Sequence, residues 1–322
     1  MSKRFVTALV VWLTAVGAAW SVEIIVPETV PTLEQALEGL KEGDRIVLLP
    51  GEYTVRPAVP EGIGFSLVGR DGAETTILRG AEETAPILVV SGGGRPVEIR
   101  GLTFDRTGLR GTFSLVALEA DLTLEGCVFL GGAGLQADSC SGAIRGNRFD
   151  GCFDAIRIQN CPFLIEGNEF QRTQQYAVIT RGSAARIERN QFRETVSACI
   201  VIVGKRHFPV IGGGPGKGNV FVRNLHLLVA NESRNDINAR YNYWGPVVTS
   251  TMERLGYPAN IPEFQDKWES DDRAAGEIDY RNWLSSEEEI RGALPVRTLG
   301  FLGALLLIAL IVIVRRKKSR AA

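Results

Sequence analysis

Apolar and polar residues alternate along short runs of this chain, and the runs recur. Aligned on an aromatic residue, seven segments read VEIRGLTF, LTLEGCVF, GAIRGNRF, FLIEGNEF, ARIERNQF, GPGKGNVF and INARYNYW. Their anchors, Phe104, Phe129, Phe149, Phe170, Phe192, Phe221 and Trp244, lie 25, 20, 21, 22, 29 and 23 residues apart. An interval of roughly 20 to 50 residues marks a solenoid or an array. Within a unit, Val97 and Ile99, Leu122 and Leu124, or Phe163 and Ile165 share one side, and Glu98 and Arg100, Thr123 and Glu125, or Leu164 and Glu166 share the other. That period of two belongs to a strand. No unit carries a helical stripe of leucine-rich or tetratricopeptide type, and the WD dipeptide of propellers is absent. A turn of about 22 residues holds three strands of about four or five residues, each bonding to the coil above and below it. The pattern therefore predicts an all-β parallel β-helix.

The repeated letters then acquire positions. Asn147, Asn168, Asn190, Asn219 and Asn242, each two residues before its aromatic anchor, are expected at a strand bend, where asparagine tolerates left-handed φ and ψ. Stacked coil over coil, their amides form a hydrogen-bonded ladder, with the aromatic rings stacked inside. The glycine before most of them is expected to relieve crowding at the corner. Four residues before each anchor sit Arg100, Glu125, Arg145, Glu166, Glu188, Lys217 and Arg240, expected on the outward face. At about 4.8 Å between coils, their largely alternating signs pair, each for no more than about 1 kcal/mol, so these charges read as structural. Cys140 and Cys161 also recur 21 residues apart; they would stack as a disulfide or as an interior thiol pair. Five cysteines form no even disulfide framework.

Before the repeats, PTLEQALEGLKEGDRIVLLPGEYTV predicts a capping helix with Thr32 and Gln35 as a capping box. Ala36, Leu37 and Leu40 are its inner face, and a strand is expected over 45–49. FSLVGRDGAETTILRG is expected to be the first full coil, and after Trp244 the periodicity stops in a charged stretch where Trp268, Tyr280 and Trp283 are the candidate packing residues.

Composition changes the picture mainly at the termini. With 45% hydrophobic residues over 322 positions the chain can bury a large core, and 36 basic against 37 acidic residues leave no electrostatic footprint for nucleic acid. Residues 1–21 carry Lys3 and Arg4, an apolar run, then small residues, as a secretory signal does. Residues 299–314 are uncharged and are followed by RRKKSR, which predicts a membrane helix whose basic end is cytoplasmic. The expected organisation is a signal peptide over 1–21, the β-helix with its cap over 22–245 and a C-terminal cap over 246–284. A juxtamembrane linker over 285–298, a transmembrane helix over 299–314 and a basic tail over 315–322 complete it. The expected location is the cell membrane, with a single pass and the ectodomain outside the cytoplasm.

Three stretches carry a family resemblance. PTLEQALEGLKEGDRIVLLPGEYTV, the GNxF coils, and ARYNYWGP followed by GEIDYRNWL together resemble the parallel β-helix repeat proteins of the pectin-lyase-like type, over about residues 24–285. The resemblance implies a single-stranded, right-handed parallel β-helix solenoid, here with an N-terminal capping helix and a C-terminal transmembrane helix. That scaffold hosts lyases, hydrolases, esterases, epimerases and inert adhesins, and the closing segment is similar to β-helix repeat proteins of copper-centre maturation in nitrous oxide reductase.

The machinery such enzymes imply is thin in these residues. Hydrolases of this fold pair aspartates with a GHG histidine, yet neither His207 nor His226 stands in GHG. Lyases use an Arg or Lys base with calcium held by several acidic side chains, and that acidic cluster is missing, so calcium has no support and no cofactor or metal ligand set is predicted. Candidate catalytic residues reduce to Asp150, Asp154 and Arg157, the aspartates reading first as turn residues bonded to their own backbone and only second as ligand-contacting carboxylates. Arg157 and Arg181, with Lys205 and Arg206, could line a groove as ligand-binding residues. The expectation is a non-catalytic, membrane-anchored glycan-binding or scaffold module with a polysaccharide partner. A diverged polysaccharide lyase or hydrolase is the second reading, and an accessory to envelope metalloenzyme maturation the third.

Overall fold

The computed structural model describes residues 21–56, 61–109, 111–268 and 275–292. They wind into a parallel β-solenoid of about eight turns. Three sheets run its length. The first has nine strands, from Glu23–Val26 to Val210–Ile211; the second has eight, from Gly51–Val55 to Val220–Val222; the third has eight, from Leu88–Ser91 to Phe264–Gln265. A representative coil takes Ser141–Arg145 from the first sheet, Arg148–Asp150 from the second and Asp154–Gln159 from the third.

The alternation predicted for the first sheet is met. Val97, Ile99, Leu122, Leu124, Phe163 and Ile165 are buried, while the residues between them face outward. Phe104, Phe129, Phe149, Phe170, Phe192 and Phe221 are register partners along the second sheet. Their rings stack at centroid separations of 4.7 to 5.2 Å, and Trp244 continues the column at 4.7 Å.

Beside this column runs the asparagine ladder. The backbone N–H groups of Asn147, Asn168 and Asn190 each donate to Oδ1 of the next asparagine at 2.9 Å, and Asn219 donates to Asn242 at 2.8 Å. Each Nδ2 also donates to that Oδ1 and to a carbonyl of the preceding coil, as Asn168 Nδ2 does to Ile144 O at 2.8 Å. All five asparagines are buried, so the ladder answers the requirement that interior amides find partners.

The local geometry corrects the sequence reading in one respect. The left-handed residue is not the asparagine but the one before it: Gly146 at φ +58°, Gly167 at +64°, Arg189 at +57° and Tyr241 at +63°. A Cβ added at Gly146 or Gly167 would meet nothing within 4 Å, so these two glycines supply backbone freedom, whereas at Gly218 it would lie 2.0 Å from the Tyr241 carbonyl oxygen and the expected crowding is present.

The same device forms two further corners that the sequence reading did not separate. After the third sheet, Glu119, Ser139 and Asn160 take φ of +47° to +54°, each followed by an inward small residue: Ala120, Cys140 or Cys161. Here Cys140 N–H donates to Cys161 Sγ at 3.2 Å and Cys161 N–H to Ser183 Oγ at 3.1 Å. After the second sheet, Gly151, Arg172 and Glu194 precede Cys152, Thr173 and Thr195 in the same way. All five cysteines are free and buried, so Cys140 and Cys161 form a thiol ladder and no disulfide.

The charge ladder is only partly outward. Arg100 pairs with Glu125 at 3.0 Å and Arg145 with Glu166 at 3.4 Å. Glu188, expected outside, is buried; the like-charged step from Glu166 to Glu188 is relieved by Arg189 on the former at 2.5 Å and Lys217 on the latter at 3.4 Å.

At the N-terminal end, helix α1 (Leu33–Glu38) starts where Thr32 Oγ1 accepts from Gln35 N–H at 3.3 Å, and it buries Leu33, Ala36 and Leu37, with Leu40 beyond its end. Asp44–Leu48 replaces the strand expected over 45–49, and Asp44–Leu48 and Gly51–Val55 already pair with the next coil. A partial coil, with no third-sheet strand among the described residues, thus precedes FSLVGRDGAETTILRG, which opens the first coil with a strand in all three sheets, as expected.

The C-terminal end departs further from expectation. Helix α2 (Pro246–Leu255) buries Val248, Thr249 and Met252. Phe264–Gln265 extends the third sheet, and Ile278–Asp279 pairs with Ile237–Asn238. Tyr280 is buried and Trp283 packs on the core, but Trp268 is 49% exposed and closes nothing. Among the described residues no helix is long and apolar enough to cross a membrane. The expected signal peptide, apart from Ser21, and the expected transmembrane helix at 299–314 lie outside the described residues.

Candidate functional site

Asp150 and Asp154 flank the corner at Gly151–Phe153, one closing a strand of the second sheet and the other opening a strand of the third. Neither is a turn residue bonded to its own backbone. Asp150, 6% exposed, is held by Arg148 and by Arg172 of the next coil. Asp154, 2% exposed, accepts from Arg157 Nη2 at 2.6 Å, three residues along the same strand. Burial pushes the Asp154 carboxyl up from its ordinary value, against the opposing pull of Arg157. The Arg157 guanidinium also lies 5.2 Å from the Phe113 ring centroid, within cation–π range. Its charge is therefore engaged twice within the protein.

Arg157 and Arg181 share the outward face of the third sheet without sharing a row. Arg157 is in register with Ile179, and Arg181 with Gln159 and Val203, so Arg181 sits one coil up and two residues along. The outward row through Arg157 continues with Ile179, Val201 and Ala230, an apolar strip that no cationic groove follows. Lys205 and Arg206 lie in the exposed loop after that strand. The five ladder asparagines point inward, and among the described residues no group of three or more His, Cys, Asp or Glu side chains could hold a metal ion.

A second location emerges only in three dimensions. At the C-terminal end of the solenoid, where the phenylalanine column meets α2, lies a cavity of about 570 Å³. Phe221, Trp244 and Val248 line its apolar wall, and Arg193, His226 and Glu263 bring polar groups to it. Arg193 is ion-paired with Glu287 at 3.1 Å. Trp244 is 1% exposed and its Nε1 has no hydrogen-bond partner among the described residues; Oε2 of Glu263 is likewise buried and unpartnered. Leu225 and Val247, 67% and 72% exposed, also line it. In the sequence Trp244 reads as an end-stop of the core, and in packing terms it is one. The clue to a second role is the cluster RNLHLLV, which places Arg223, Leu225 and His226 on one loop after the last long coil.

The family model of the adenovirus EB1 55K protein / large t-antigen matches residues 88–208. That stretch is less than half of the chain and runs from the strand beginning at Leu88 to the loop at Phe208, so it coincides with the regular middle coils. It does not support the pectin-lyase-like resemblance. Comparison with curated proteins and with solved structures gave no match.

Proposed function

We propose that this chain is a non-catalytic glycan-binding module built on a parallel β-solenoid and held at the outer side of a membrane by its C-terminal segment. The observation that carries this reading is the state of the two aspartates. Acid–base cleavage of a glycosidic bond needs one carboxyl group free to give a proton and one free to activate water or attack. Asp150 is occupied by Arg148 and Arg172, Asp154 is bound by Arg157 through Oδ2, and burial leaves the two carboxyl groups 6% and 2% exposed, closed to a substrate. Parallel coils repeat their outward side chains every ~4.8 Å, a spacing suited to a long repetitive ligand. The expected test result is retention of acidic or neutral polysaccharides by the full-length chain with no release of unsaturated uronate or new reducing ends.

One observation favours the second reading, a polysaccharide lyase or hydrolase with a diverged site: the raised pKa of Asp154 is what a general acid requires. Turnover that disappears in both Asp154→Asn and Arg157→Gln would establish it. Turnover that survives both would place the chemistry elsewhere.

A further inference from the structure

The two most exposed large apolar side chains among the described residues, Val247 and Leu225, line the same terminal cavity. A third adjoins them. Ala198 and Leu227 are register partners and the Leu225 N–H donates to Thr195 O at 2.9 Å, so Leu225 lies one coil above Val196, itself 40% exposed. Adjacent strands are about 4.8 Å apart, which sets Val196 against Leu225. Single apolar side chains on a surface need no explanation, whereas a contiguous patch rimmed by polar groups marks a surface that something covers. The rim is polar and its charges are matched within the chain: Arg193 pairs with Glu287 at 3.1 Å and Arg223 with Glu194 at 3.9 Å. The Arg223 side chain is 81% exposed, and an arginine so placed can lay its stem along apolar material while its head stays among polar groups.

Position says what the covering is. Glu287 opens helix α3 (Glu287–Gly292) and lines the same cavity, so the last described residues leave from this end of the solenoid. Residues 293–298 alone separate Gly292 from the apolar run at 299–314, which lies outside the described residues. Fully extended, that connection reaches about 25 Å. A membrane anchor at 299–314 therefore holds the end of α3 within that distance of the bilayer. Docking then becomes intramolecular, and a few apolar side chains that would not retain a free protein on lipid suffice for a tethered one.

Resting on the membrane-anchored reading, we infer that Val196, Leu225 and Val247 form a lipid-docking surface. They enter the boundary between headgroups and acyl chains, and the solenoid stands on its C-terminal end. The inference goes beyond that reading, which requires a tether and no contact between the coils and the bilayer.

The test uses the full-length chain reconstituted into phosphatidylcholine vesicles. The five native thiols are buried, so Leu225→Cys and Val247→Cys each take an environment-sensitive fluorophore at one exposed site. Leu118→Cys, 37% exposed and towards the other end of the third sheet, is the control. Emission from the Leu225 and Val247 sites should be lost to a nitroxide carried on the acyl chain near the headgroup and be protected from iodide in the water. The Leu118 site should show the reverse. Flotation of the same samples reports whether the chain is anchored at all. If the chain floats with the vesicles while the Leu225 and Val247 sites stay open to iodide, the docking surface is overturned and the anchored reading survives. Protection from iodide without loss to the nitroxide would mean that a second copy of the chain covers the patch, and overturns the assignment to lipid. A chain that does not float removes the anchor, and the docking surface with it.

Discussion

Two glycines at equivalent corners separate two reasons for a glycine. At Gly146 the backbone is left-handed, φ +58°, and an added Cβ would meet nothing within 4 Å. Gly146→Ala therefore costs the left-handed penalty of about 1–2 kcal/mol, offset by the roughly 0.5–1 kcal/mol gained from a stiffer unfolded chain. The net loss should be about 1 kcal/mol. At Gly218 the problem is space: a Cβ would lie 2.0 Å from the carbonyl oxygen of Tyr241. The backbone of one coil must then move, and the adjacent rung goes with it, because Asn219 N–H donates to Asn242 Oδ1 at 2.8 Å. Overpacking of about 1–3 kcal/mol and an orphaned buried amide of about 1–3 kcal/mol put Gly218→Ala at roughly 4 kcal/mol. Urea unfolding followed by circular dichroism, with amide exchange at Asn219 as the local readout, measures both. Equal losses in the two variants, or full protection of Asn219 in Gly218→Ala, would refute the reasoning.

Two further outcomes follow from the same interior. Asn168→Leu removes the acceptor of Asn147 N–H and the donor to Ile144 O; a loss of roughly 3 kcal/mol is expected, with amide exchange at Asn147 accelerated far more than at Leu67. Burial pushes the thiols of Cys127, Cys152 and Cys199 to about 12, above the unfolded value of about 8.5. Their contribution to stability is then intact below that unfolded value and declines as pH rises past it; a thiol-exchange reagent in mildly alkaline buffer should label none of the three before denaturant is added and all three afterwards.

The middle of the solenoid was legible because each of its coils repeats a side chain that only one position can take. A ring inside a stack and an amide with both donor and acceptor have few substitutes, so Phe149 and Asn147 recur as letters. The other two corners demand only something small facing inward, and Ala120, Cys140, Cys161 and Ser183 meet that need with no shared letter. The partial coil of Asp44–Leu48 and Gly51–Val55 escaped for a related reason: in the register that holds Phe104, Leu78 stands in the next place and Tyr53 beyond it, so an alignment on aromatic residues breaks before it reaches that coil. At the other end Phe264 joins the solenoid through the third sheet and meets Trp244 edge-on at 71°, after an intervening helix that breaks the period. The terminal cavity was least legible of all. Arg193, Phe221, Trp244, Glu263 and Glu287 are scattered over the chain, and that Trp244 Nε1 and Glu263 Oε2 lack partners is a property of packing.

The stacking of the coils is most directly tested by through-space contacts between backbone amides in the perdeuterated chain. Cross-peaks should join the Asn147 amide to the Asn168 side chain, Asn168 to Asn190, Asn190 to Asn219 and Asn219 to Asn242, as the rungs of 2.8 to 2.9 Å require. Contacts from these five amides only to residues near them in sequence would contradict the solenoid and everything argued from it.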